Sequence, residues 1–220
     1  MKVGVFDPYL NTLGGGEKYM LTLALCLAKK HEVSLFWDKE KEEEIKRGAQ
    51  DRFGFDLRNI HFVDNIFSSK ISKLQRISEA QKYDVIVYLS DGSIPFAIKK
   101  NLIIHFQFPV EWVKKSFLTS LKLLQVKSII CNSQFTKFYI DRKFNTKSIV
   151  VYPPVGLPDN IEEKKENIIL HVGRFGISKE GSNFKKQDVM IDVFKQMAKN
   201  KLVIDWRFVL IVSVREEDRE

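Results

Sequence analysis

"LGGGEKYMLTLALCLAKK", residues 13–30, sets three glycines directly ahead of a long helix-forming run. Upstream lies "KVGVF" (2–6) and downstream "EVSLFW" (32–37), both short, apolar and strand-like. The segment therefore reads as strand, glycine loop, helix, strand. The first turn of a helix presents unpaired N–H groups and the positive end of the dipole, so glycines at its mouth suit an anion. The competing reading is a loop whose glycines supply positive φ.

The alternation continues. "KEKEEEIKRG" (39–48) reads as a charged helix closed by Gly48, and "NIHFVD" (59–64) as a strand. "SSKISKLQRISEAQKY" (68–83) reads as an amphipathic helix capped by Ser68 or Ser69. "DVIVYLS" (84–90) and "NLIIHFQ" (101–107) are strands, followed by a helix from about Glu111 to Val126. "KSIICNS" (127–133) is a strand whose Ser133 caps a helix over 134–143, and "KSIVVY" (147–152) is a strand stopped by Pro153 and Pro154. Alternating helices and fully apolar strands predict an α/β fold, a doubly wound, Rossmann-like parallel sheet covered on both faces. Such sheets bind ligands beyond the carboxyl ends of their strands. Gly14–Gly16, Asp91, His105 and Ser133 all fall at or just after strand ends, so they are expected on one rim.

"YPPVGLPDNIEEKKEN" (152–167) is linker-like, and the pattern then restarts. "IILHV" (168–172) is a strand, 173–186 a loop bearing glycines and lysines, 187–200 an amphipathic helix and 206–214 a strand. The expected organisation is a Rossmann-like domain over 1–152, a linker over 153–166, and over 167–220 the incomplete start of a second Rossmann-like domain. A full domain of this kind takes about 100–200 residues.

The net charge is +8, and one segment carries it. Between Lys99 and Lys147 stand ten Lys/Arg and two acids, while the remaining residues balance. The segment is either a solvated face or a surface for an anionic membrane, nucleic acid or phosphorylated substrate. In the expected helix from Glu111, Val113, Phe117, Leu121 and Leu124 share one face. Trp112, Leu118 and Leu123 fall elsewhere, beside Lys114, Lys115 and Lys122. That mixture fits a core helix or an interfacial one. Cys26 and Cys131 lie in apolar runs and read as buried thiols in a reducing, cytoplasmic compartment. The start, "MKVGVFDPYL", lacks the apolar core of a signal peptide.

The glycine stretch fails as a dinucleotide fingerprint, because the third glycine position is Tyr19. Asp38, at the end of the second strand, keeps a nicotinamide-binding reading open. No lysine–serine/threonine pair follows the glycines, which excludes a P-loop. No D-x-D and no metal-ligand spacing occur, so no metal is expected. His105 is either a core histidine or a catalytic one. Arg174, Lys185 and Lys186 are cations suited to a diphosphate or to solvent.

Four segments in order, "LGGGEKYMLTLALCLAKKHEVSLF", "IICNSQFTKFYI", "IVVYPPV" and "ILHVGRF…KKQDVMIDVFKQM", resemble the group 1 (family four) glycosyltransferases. The resemblance runs from residue 2 to about 212. It implies an N-terminal acceptor domain and a C-terminal nucleotide-sugar domain facing a cleft. It also implies sugar transfer from a nucleotide-sugar to a glycan or lipid-linked acceptor, with retention, without a metal or other cofactor. It places Gly14 and Gly15 near the donor diphosphate, Arg174 and Lys185 as donor contacts with Asp188 beside them, and His105 near the transferred sugar. The chain departs from the family in two places: no glycines follow the strand near 207–212, and no later glutamate pair is present. The truncated chain alone is therefore expected to bind donor weakly and not to turn over. The implied location is cytoplasmic, with peripheral contact to anionic membrane through residues 99–147 and no nucleic-acid partner. The alternative is a non-catalytic Rossmann-like binding module that has lost its donor site.

Overall fold

A computed structural model describes residues 1–96, 101–114, 116–156, 165–175 and 185–214, with backbone alone at 174–175 and 213–214. The chain separates into two units, Met1–Gly156 and Leu157–Glu220.

In the first unit β1 (Lys2–Phe6) leads through a short 3-10 turn, Leu10–Thr12, to α1 (Gly15–Ala28) and β2 (Glu32–Phe36). Then come α2 (Glu42–Phe53), β3 (Ile60–Val63), α3 (Lys73–Gln81), β4 (Val85–Leu89) and β5 (Leu102–Phe106). The unit closes with α4 (Phe117–Leu123), β6 (Val126–Cys131), α5 (Gln134–Phe144) and β7 (Ile149–Val150). The seven strands form one parallel sheet in the order β3-β2-β1-β4-β5-β6-β7. This is the expected doubly wound Rossmann-like α/β architecture. Strand order reverses between β1 and β4, and ligands of open α/β sheets bind at such a reversal.

Side-chain alternation divides the core into two layers. Val3 and Val5 of β1, Leu35 of β2 and Leu89 of β4 pack under Met20, Leu21 and Ala24 of α1 and Ile45 and Ala49 of α2. On the opposite face Phe6, Phe36, Tyr88 and Phe106 pack with Ile140 and Phe144 of α5, while Ala80 of α3 and Leu123 of α4 rest against them.

Several boundaries differ from the sequence reading, each for a local reason. Gly48 does not close the charged helix. It lies within α2, where a Cβ would press on the Leu13 side chain, and the helix ends at Gly54 in the left-handed conformation. The cap of α3 is Ser72, whose hydroxyl accepts from Gln75 N–H, and not Ser68 or Ser69. The helix expected from Glu111 to Val126 is only α4, capped by Ser116, and Val126 already belongs to β6. Cys131 is buried as expected, with its thiol against the Ser148 hydroxyl, but Cys26 is exposed on the outer side of α1, away from Met20, Leu21 and Ala24.

The second unit holds β8 (Ile168–Phe175), α6 (Gln187–Lys199) and β9 (Arg207–Val214). The two strands pair in parallel from Ile168↔Arg207 to Phe175↔Val214. Phe194 of α6 stacks on Phe208 at 5.5 Å, which ties the helix to the pair.

Gly4 in β1 is required by close packing, because a Cβ there would collide with the buried ring of Phe36. Gly4→Ala is expected to destabilise the first unit by about 1–3 kcal/mol. Phe36→Leu should recover part of the loss in a double-mutant cycle read by chemical denaturation, and additive losses would contradict this packing.

Candidate functional site

The rim above the β1/β4 reversal is built by the segment between β1 and α1. Asp7, directly after β1, is 1% exposed. Its Oδ1 accepts from Tyr9 N–H at 2.8 Å, while Oδ2 is buried without a hydrogen-bond partner. Burial, and secondarily the nearby Glu17 charge, raise its pKa from 3.8 to about 7, against the lowering effect of the Tyr9 N–H.

The glycine loop is pinned from both sides. Glu17 reaches back so that one carboxylate oxygen accepts from Gly14 N–H at 2.6 Å and from the Thr12 hydroxyl at 2.7 Å. This is the reciprocal half of a capping box, at the three-residue spacing that such boxes use. From α2, Arg52 donates to the carbonyls of Thr12 and Leu13 at 3.3 and 3.4 Å. None of Gly14–Gly16 has positive φ. The left-handed residue of this loop is Leu13, at φ 45°. The reading in which the glycines serve positive φ is therefore overturned.

Each glycine has a distinct setting. Gly14 is the extended N-cap of α1, and its N–H is already used by Glu17. A Cβ on Gly15 would meet nothing within 4 Å. A Cβ on Gly16 would collide with the Gln107 side chain, whose Nε2 donates to Gly16 O at 3.1 Å. Gln107 follows β5, and its carbonyl accepts from Asn132 Nδ2, after β6, at 2.7 Å. A hydrogen-bonded chain thus joins the glycine loop to the ends of two further strands. The amides of Gly15 and Gly16 open the helix, where no intrahelical acceptor exists for them.

The other expected residues take different places. His105 lies below the rim with no solvent exposure. Pairing of Leu89 with His105 turns the imidazole to the α1 face of the sheet. There the Tyr19 ring meets it edge-on at 4.7 Å and Met20 Sδ lies 3.1 Å from Nδ1. Burial lowers its pKa from 6.5 to about 4. Tyr19, in the position of the missing third glycine, donates its hydroxyl to Val151 O at 2.6 Å and so anchors α1 to the segment after β7. Ser133 is occupied as the cap of α5, Asp91 accepts from Ser93, and Asp38 caps the turn Lys39–Lys41. In the second unit, Arg174 does not follow its strand. Its backbone lies within β8, opposite Ser213, because pairing continues to Phe175. Lys185 is an exposed residue in the turn before α6. Residues 176–184 of the expected loop lie outside the described residues.

Sequence reasoning missed Asp7, Glu17, Gln107 and Asn132. The Gly14-to-Glu17 spacing carried a signal for Glu17, and position directly after a strand carried one for Asp7 and Gln107. Among the described residues no group of three His, Cys, Asp or Glu is placed to hold a metal ion.

Residues 13–157 match the profile of Glycosyltransferase Family 4, about two thirds of the chain, beginning at the glycine loop. The chain belongs to that family. A curated relative from Campylobacter jejuni is 27% identical over 87% of this chain. It is named as a GalNAc-alpha-(1->4)-GalNAc-alpha-(1->3)-diNAcBac-PP-undecaprenol alpha-1,4-N-acetyl-D-galactosaminyltransferase. This chain spans 58% of that relative's length. A crystal structure of Anabaena HepE in complex with UDP and glucose aligns over 97% of this chain and 70% of its own, at 14% identity and a TM-score of 0.47.

Asp7 and His105 give this family-4 sheet opposing pH responses. Between 3.8 and about 7 folded Asp7 keeps a proton that the unfolded chain releases, so stability falls as pH rises. Below 6.5 the unfolded chain protonates a histidine that folded His105 leaves neutral down to about 4, so stability falls as pH drops. Asp7→Asn should remove the first slope. Its gain in melting temperature is expected to be small at pH 4 and largest at pH 7–8. A gain independent of pH would contradict the buried, unpaired carboxylate.

Proposed function

We propose that the chain serves a glycosyltransferase that moves a sugar from a nucleotide-sugar to a lipid-linked acceptor, with retention and without a metal or other cofactor. The observation that carries this reading is the pinned glycine loop, in the segment where the family match begins. Glu17 and Arg52 hold the loop before any ligand arrives, while Gly15 is left open. A diphosphate approaching Gly15 and Gly16 would accept from their N–H groups and meet the positive end of α1. As the bond to the sugar breaks, charge grows on that diphosphate, and preoriented amides stabilise it without reorganising. Gly14, whose amide is taken, contributes by its lack of a side chain. His105 is sealed beneath α1, so its proposed part is positioning of that helix. In the second unit Arg174 and Lys185 remain proposed donor contacts.

The lipid-linked acceptor is supported by the printed activity of the Campylobacter relative and by the surface of the first unit. Phe117, Leu118 and Leu124 of the α4 segment are 78%, 68% and 75% exposed, while Val113 and Leu123 turn to the core. Of the apolar face shared by Val113, Phe117, Leu121 and Leu124, only Val113 turns inward, which favours the interfacial reading of this segment. That face lies within the segment that carries the whole net charge, a combination suited to the cytoplasmic face of an anionic membrane. Among the described residues no helix is long and apolar enough to cross a membrane. The alternative is a non-catalytic Rossmann-like binding module, since a fold of this kind does not by itself carry a reaction.

Gly15→Asp separates these readings. Nothing crowds the new side chain and an acid suits the first helical turn, so the melting temperature should hold. The carboxylate would oppose the diphosphate, and affinity for labelled nucleotide-sugar should fall by about tenfold or more. Wild-type chain that binds no nucleotide-sugar favours the binding module, preferential NAD(H) binding revives the nicotinamide reading, and equal affinity in the folded variant removes the loop from the site.

A further inference from the structure

Residues of α3, α4, the loop after β4 and Tyr88 of β4 line a groove of about 740 Å³ in the first unit. Its walls are apolar, formed by Phe67, Ile77, Ile94, Leu118 and Leu121. Ser93–Phe96 of its lining follow the carboxyl end of β4, the neighbour of β1 in the sheet, while Phe67 and Tyr88 place the groove on the face of the sheet opposite α1. Three cations, Lys73, Arg76 and Lys122, border the walls.

These cations are not neutralised by neighbours. Among the described residues no ion pair engages any of them. Arg76 is held in place by carbonyls, donating from Nε to Ile66 O at 3.0 Å and from Nη2 to Ser68 O at 3.1 Å. Its orientation is fixed while its charge is left uncompensated. A fixed guanidinium and two lysines beside a long apolar wall match one ligand chemistry, a hydrocarbon chain that ends in phosphate. A wholly apolar partner would leave the cations facing it, and a free phosphate would leave the walls bare to water.

We propose that this groove takes the hydrocarbon chain of a long-chain lipid phosphate, with Lys73, Arg76 and Lys122 taking the phosphate. The assignment rests on the reading of a lipid-linked acceptor and gives the lipid end of that acceptor a specific seat beside the loop after β4. It differs from general membrane adhesion in one respect. Leu118 and Leu121 line the groove, whereas Phe117 and Leu124, equally apolar and on the same short segment, do not.

The test uses the full chain with farnesyl diphosphate as probe, and farnesol and inorganic diphosphate as the chain-only and charge-only arms. Farnesyl diphosphate is expected to bind about tenfold or more tightly than either arm. Leu118→Asp and Leu121→Asp should each weaken its binding by about tenfold, and the Lys73→Glu, Lys122→Glu pair by a similar factor. Phe117→Asp and Leu124→Asp should leave it within about twofold. All four carry an acid at an exposed position, so melting temperatures should match wild type. Equal losses in all four, or inorganic diphosphate binding as tightly as the farnesyl compound, overturns the groove. If the probe fails to bind while vesicles of anionic lipid still capture the chain in a salt-sensitive way, the groove falls and the lipid-linked reading stands. If the probe binds and nucleotide-sugar does not, the groove stands and the donor reading falls.

Discussion

The first unit depends on how α1 seats over β1 and β5. Met20, Leu21 and Ala24 are wholly withdrawn from water against the sheet, and the Tyr19 hydroxyl reaches across to Val151 O. His105 fills the space beneath, neutral because burial disfavours its charged form. With the helix axis fixed by these contacts, its amino end can lie only at the rim where strand order reverses. Glu17 and Arg52 then remove the remaining freedom of the loop, so the flexible residues of the sequence occupy a rigid place in the fold.

That rigidity explains why three glycines are present and why they differ. Gly16 admits Gln107, which joins the loop to the ends of β5 and β6. Gly14 is the extended cap, and Gly15 faces open space. None serves positive φ. The physical logic is close approach: of Gln107 at Gly16, and of a proposed ligand at Gly15.

The strands were legible in the sequence because they are continuous apolar runs: the seven expected in the first unit and the two expected in the second are all present. Helix ends were less legible where caps competed. Ser68, Ser69 and Ser72 are chemically equal candidates, but the Ser68 hydroxyl and carbonyl accept from Lys70 and Ile71 N–H in the preceding turn, and Ser72 caps the helix. The α4 segment misled in a more useful way. Its i, i+4 apolar spacing imitates a core helix, yet the chain turns Val113 and Leu123 inward and leaves Phe117 and Leu124 out. Spacing reports that a helix has an apolar face and not what that face meets. The site was legible only in its glycines. Glu17, Arg52 and Gln107 act through contacts set by the fold, and Arg52 is brought to the loop from the far end of α2.

The account centres on the amides of Gly15 and Gly16 as donors to a diphosphate, in a loop already formed without it. Amide-resolved NMR of the full chain during titration with a nucleoside diphosphate tests this most directly. The account predicts saturable shifts largest at Gly15 and Gly16, with Gly14 moving less because Glu17 holds its N–H throughout. Saturable binding that leaves Gly15 and Gly16 unmoved while other amides shift would contradict it.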